Sequence, residues 1–117
     1  MSMIPVLSKP AIYFHADTDA SPESIKQVLF GIEEEGIPCE LEIKPLKDEV
    51  EAAFRASASS PLLVGVTLKD DHLVIHYRNL PPDQPLFSAY RFEANTSEEK
   101  RNMGMNAARL VKGVPFK

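Results

Sequence analysis

Ile25, Val28, Leu29 and Ile32 recur at i, i+3, i+4 and i+7, the spacing of one face of an α-helix. Ser21 followed by Pro22 is an N-cap with proline at the first helical position, and Gly36 can supply a left-handed cap, so a helix is predicted over about Pro22–Glu35. AIYFH (11–15) before it is a short β-rich run. In CELEIKPL after it, Cys39, Leu41 and Ile43 alternate with Glu40, Glu42 and Lys44, the pattern of an edge or half-covered strand. KDEVEAAFRASAS (47–59) predicts a second helix with Val50, Ala53 and Phe54 inward. The nearly all-apolar PLLVGVTL (61–68) predicts a central strand covered on both faces. Lys69-Asp70-Asp71 turns into HLVIHYRNL, which predicts a hairpin. LPPDQPLF, with Pro81, Pro82 and Pro85, cannot be helical and leads to a short extended run, FSAYRF. Thr96 and Glu99 match a capping box, and Met103, Ala107, Leu110 and Val111 form the stripe of a last helix that Gly113 and Pro115 end.

The alternation β-α-β-α-β-β-β-α predicts an α/β fold: a single layered domain over residues 11–117, with a mostly parallel, mixed sheet flanked by helices. Residues 1–10 carry Pro5 and Pro10 and little pattern, so a flexible N-terminal arm is expected there. The net charge of −4 and pI near 5.3 leave no basic footprint for nucleic acid or an anionic membrane, and favour a protein or a cation as partner. Cys39 is the single cysteine, and no apolar run approaches the ~20 residues of a membrane span, so a cytoplasmic protein is expected.

Little in the chain announces catalysis. Gly31, Gly36, Gly65, Gly104 and Gly113 never cluster, so neither a phosphate loop nor a dinucleotide fingerprint is present, and no cofactor is expected on this chain alone. His72 and His76 lie four apart on a predicted strand, ~13 Å from one another, and His15 is remote in sequence; satisfied or surface histidines fit better than a shared metal site. Ser59-Ser60-Pro61 reads as the end of a helix, Asp17 and Asp19 as turn formers, and Cys39 as a small buried side chain.

The triplet Glu33, Glu34 and Glu35 is harder to place. Each acid sits where the helix dipole favours cations, at a cost of some tenths of a kcal/mol. At 100° per residue Glu33 and Glu35 fall on the two flanks of the core face and Glu34 points away from it. Phe30 and Gln27 share that outer side, with Gly31 a bare notch beside them. On spacing alone the pattern fits an ordinary solvated face with one exposed aromatic better; the sharper reading is a docking surface with an aromatic anchor and a carboxylate for a partner's cation. Gly104 and Ala108 make a second bare strip, open to a neighbouring element of this domain or to a partner.

LFGIEEEGIPCE, SSPLLVGVTL, LPPDQPLF and RNMGMNAARLVKGVPF stand in the same order as comparable segments of the small (β) subunit of the diol and glycerol dehydratase reactivating factors. More loosely, they resemble the medium subunit of the adenosylcobalamin-dependent dehydratases. The resemblance spans about residues 11–116 and implies a fold similar to that medium subunit. It also implies a non-catalytic chain that binds a large, chaperone-like ATPase subunit, in an α2β2 complex that frees damaged cobalamin from an inactivated dehydratase and exchanges places with the medium subunit. ATP or ADP and Mg²⁺ or Ca²⁺ would sit mainly on the large subunit, with Glu34 reaching the cation and Phe30, Gln27 and Gly31 beside it at the interface. Whether such a complex resides in a bacterial microcompartment is left open. The alternative is the dehydratase's own subunit, which typically carries extra N-terminal sequence. A free-standing small α/β enzyme finds no paired acid and base here.

Overall fold

The computed structural model describes residues 10–117, so the expected arm lies outside the described residues except for Pro10. Five strands and three helices follow in the order β1 (Ile12–Ala16), α1 (Pro22–Glu34), β2 (Cys39–Ile43), α2 (Glu49–Ser59), β3 (Val64–Lys69), β4 (His72–Tyr77), β5 (Phe87–Ala89) and α3 (Ser97–Lys112). The sheet runs β2-β1-β3-β4-β5 and is mixed: β1 pairs in parallel with β2 and β3, and β4 pairs antiparallel with β3 and β5. β3 is the middle strand, as its unbroken apolar run requires, and β2 is an edge.

Strand alternation decides which helix lies where. Ile12, Phe14, Ala16, Val64, Val66, Leu68, Leu73 and Ile75 point to one face, where Ile25, Val28 and Ile32 of α1 and Ala107 and Ala108 of α3 close the main core. The other face receives α2. There Gly65 is pressed so close to the helix that an added Cβ would meet the Ala53 carbonyl, the Ser57 amide and Ala56, which explains why α2 is rich in alanine and serine. Ala53, Ala56 and Ser57 are buried, while Val50 and Phe54 are half-buried at the margin.

Local chemistry fixes the element ends. Ser21 accepts from Ser24 N–H, Asp48 accepts from Val50 and Glu51 N–H, and Thr96 and Glu99 form the capping box reciprocally. Gly36 and Gly113 take φ of +76° and +70° beyond the ends of α1 and α3. Asp70 and Asp71 both have positive φ, the signature of the tight turn that suits the twist of the β3–β4 hairpin.

Candidate docking and cation site

The three glutamates at the end of α1 meet three different surroundings. Glu35 is turned inward onto α3: its carboxylate accepts from Arg109 Nε at 3.0 Å and Lys112 Nζ at 2.8 Å, and its side chain is only 10% exposed. The Lys112 hydrogen bond, with Arg109 beside it, holds the Glu35 carboxyl below its ordinary pKa. Lys112 also donates to the Glu35 carbonyl at 3.2 Å, so cations from α3 offset the unfavourable dipole position. Glu34 is half exposed and reaches only a loose contact, 3.9 Å to Arg101 Nε. Glu33 is exposed and has no cation within 4.0 Å among the described residues.

The helical wheel errs on two neighbours. Gln27 and Gly31, expected on the outer side with Gly31 as a bare notch, are buried beneath α3. A Cβ at Gly31 would collide with the Arg101 carbonyl oxygen and come within 2.8 Å of Met105 N, and one at Gly104 would collide with the Val28 carbonyl oxygen. The two bare strips foreseen in α1 and α3 therefore face one another. Gln27 sits in the same seam, donating to Glu23 at 2.7 Å and accepting from Arg101 Nη1 at 2.8 Å. A wheel centred on the sheet-facing stripe cannot reveal a second helix packed alongside in the same layer.

Phe30 remains outside, 39% exposed, with Lys26 Nζ 5.6 Å from its ring centroid. It lies on the opposite flank of α1, where Ile25, Leu29, Phe30 and Ile43 line a trough of about 310 Å³ toward β2. Leu41 and Ile43 of the edge strand are 38% and 55% exposed, so the apolar surface continues over β2. Periodicity had marked β2 as half covered; that its uncovered face joins Phe30 is a tertiary fact.

The remaining reactive side chains are occupied. Asp17 lies at the C-terminal ends of β1 and β3, the crevice where open α/β sheets usually hold a ligand. Its carboxylate accepts from Leu46 N at 2.8 Å and Asp19 N at 3.3 Å, and the Leu46 bond leads in lowering its pKa. The two ring nitrogens of His76 each lie 3.1 Å from a backbone carbonyl, of Tyr77 and of Pro82, and Ser60 donates to the Ala11 carbonyl at 2.6 Å. Burial, with Glu33 and Glu40 nearby, pushes the Cys39 thiol up to about 12. His72 contacts Glu49 through Nδ1 at 2.7 Å and Ser88 through Nε2, with Tyr90 stacked on its ring. This network ties the start of α2 to β4 and β5, and its members are too scattered in sequence to have been joined by spacing.

Residues 9–117 match the family model described as dehydratase medium subunit. The propanediol dehydratase-reactivating factor small subunit of Salmonella typhimurium is 47% identical, covering 94% of this chain and 92% of that protein. The chain belongs to the dehydratase medium subunit family, alongside the reactivating-factor small subunits. Two solved structures share the fold closely. A diol dehydratase-reactivating factor complexed with ADP and Mg²⁺ superposes with a TM-score of 0.86 at 45% identity, covering 94% of this chain and 99% of the matched one. A glycerol dehydratase reactivase gives 0.85 at 28% identity, covering 93% and 97%.

For a member of this family, the donors around Glu34 limit what cation chemistry the chain can supply. No group of three or more potential metal-ligating side chains occurs among the described residues. Glu34, half exposed with one loose partner, presents a single hard oxygen donor at the end of α1.

Proposed function

We propose that this chain is the non-catalytic small subunit of an ATP-dependent reactivase that releases damaged cobalamin from an inactivated dehydratase. It acts by binding a large ATPase subunit, in an α2β2 assembly, and by exchanging with the dehydratase medium subunit, whose fold family it shares. The observation that carries the reading is the open flank of α1. Phe30 offers an aromatic anchor there, and Glu34, one turn on, offers a carboxylate bound only loosely within its own chain. The ADP and Mg²⁺ of the similar diol dehydratase-reactivating factor support a nucleotide cycle in the assembly. Identity of 45% to that factor against 28% to the glycerol dehydratase reactivase favours a diol dehydratase as the target. The setting is cytoplasmic.

The test is binding of the purified chain to a large reactivating-factor subunit, with Mg²⁺ and with EDTA. Burying a phenylalanine contributes roughly 1.5–3 kcal/mol, so Phe30→Ala is expected to weaken assembly at least about tenfold. Glu34→Gln should remove the Mg²⁺ dependence of binding while leaving the free chain as stable. Unchanged affinity in both variants, with and without metal, would defeat the reading.

A further inference from the structure

Strand β2 closes one side of the sheet, and its outer edge has no neighbouring strand among the described residues. Ile12 N–H donates to the Pro38 carbonyl and Lys44 N–H to the Ala16 carbonyl, which sets the phase of the parallel ladder. Pro38, Glu40, Glu42 and Lys44 turn their backbone groups toward β1, so Cys39, Leu41 and Ile43 turn theirs outward. Edge strands are commonly guarded by charge, and here the guard is one-sided: Glu40, Glu42 and Lys44 occupy the α2 face, while Leu41 and Ile43 lie bare on the α1 face beside Phe30. The charge is also unbalanced. Glu42 is met by Lys44 and His15, but Glu40, like Glu33, has no cation within 4.0 Å among the described residues, and both act on the same Cys39 thiol.

We propose that the free edge of β2 accepts an extended strand of the large subunit, whose apolar side chains lie against Phe30, Leu41 and Ile43 while Lys or Arg at alternate positions meets Glu40 and Glu42. The inference rests on the pairing with a large subunit proposed above and specifies its geometry. A second copy of this chain fits less well. Two-fold antiparallel pairing that sets Leu41 against Leu41 places Glu40 opposite Glu42 twice, with like charges directly opposite and destabilising. Pairing Leu41 with Ile43 places Glu42 opposite Glu42 on the two-fold, although Glu40 then faces Lys44, and it still leaves that central like-charge pair unrelieved. A partner strand with basic alternate positions removes that conflict and satisfies the outward N–H and C=O groups of Leu41 and Ile43 together.

The experiment is amide hydrogen exchange by NMR on the isotopically labelled full chain, alone and with an unlabelled large reactivating-factor subunit, ADP and Mg²⁺. The amides of Leu41 and Ile43 should exchange freely in the isolated chain and slow at least about tenfold in the complex. Those of Glu40 and Glu42 should be protected in both states. Leu41→Pro, which deletes an outward N–H and leaves the bonds to β1, should weaken assembly at least about tenfold more than Leu41→Ala, with each variant's fold checked by circular dichroism. A complex that forms while Leu41 and Ile43 still exchange freely overturns the strand model and leaves the pairing intact. Absence of any complex overturns the pairing and the strand model with it. Protection that rises with the concentration of this chain alone assigns the edge to a second copy and overturns the proposal.

Discussion

The two flanks of α1 each carry a glutamate, Glu35 on one and Glu33 on the other, yet behave as opposites. On the α3 side Gly31 and Gly104 bring two backbones into contact, and Glu35 is gripped by Arg109 and Lys112. On the β2 side Phe30, Leu41 and Ile43 stand exposed and Glu33 has no close cation among the described residues. A glycine on a helix surface is thus no evidence of vacancy, and the flank with the larger side chains is the one left open.

Substitutions should separate the flanks by their effect on the isolated chain. The largest loss is expected from Gly104→Ala or Gly31→Ala. The colliding atoms are backbone and cannot rotate aside, so the helices are forced apart at a cost of about 1–3 kcal/mol. Thermal melts should fall by several degrees, and an unchanged melting temperature would show that the seam is looser than its geometry implies.

Glu35→Gln should act next, and in a pH-dependent way. Because the folded-state pKa of Glu35 is depressed below its ordinary 4.5, the clasp stabilises above that value and fades as pH falls through the folded pKa. The gap between parent and variant melting temperatures should therefore be widest near neutrality and narrow in acid. A gap independent of pH would assign the effect to shape instead of charge.

Phe30→Ala should do least to the free chain, at most about 0.5–1 kcal/mol, because the residue lies outside the core cluster. Its proposed effect falls on assembly. A large drop in the stability of the isolated chain would move Phe30 from the open flank to the core.

Much of this architecture is legible in the sequence. The N-caps at Ser21 and Thr96, the central position of β3 and the edge character of β2 follow from short-range rules and appear as expected. Gln27 and Gly31 did not, because the wheel describes one helix and their burial depends on where α3 lands. Arg109 and Lys112, three apart at the end of α3, were a readable signal for a buried acid, but nothing local pointed to Glu35 over Glu33 or Glu34. The trough was hidden for the same reason: its walls belong to α1 and β2, which are joined only by tertiary packing.

The pKa of about 12 at Cys39 makes the only sulfhydryl of the chain a slow clock. Alkylating reagents attack the thiolate, and at neutral pH the raised pKa leaves far less of it than an ordinary cysteine carries. Labelling at neutral pH therefore proceeds mainly through those moments when the start of β2 lifts from the sheet and the sulfur meets water. The rate of covalent capture then counts openings of the edge strand, with no probe added to the chain, and anything that clamps that edge lengthens the interval between counts.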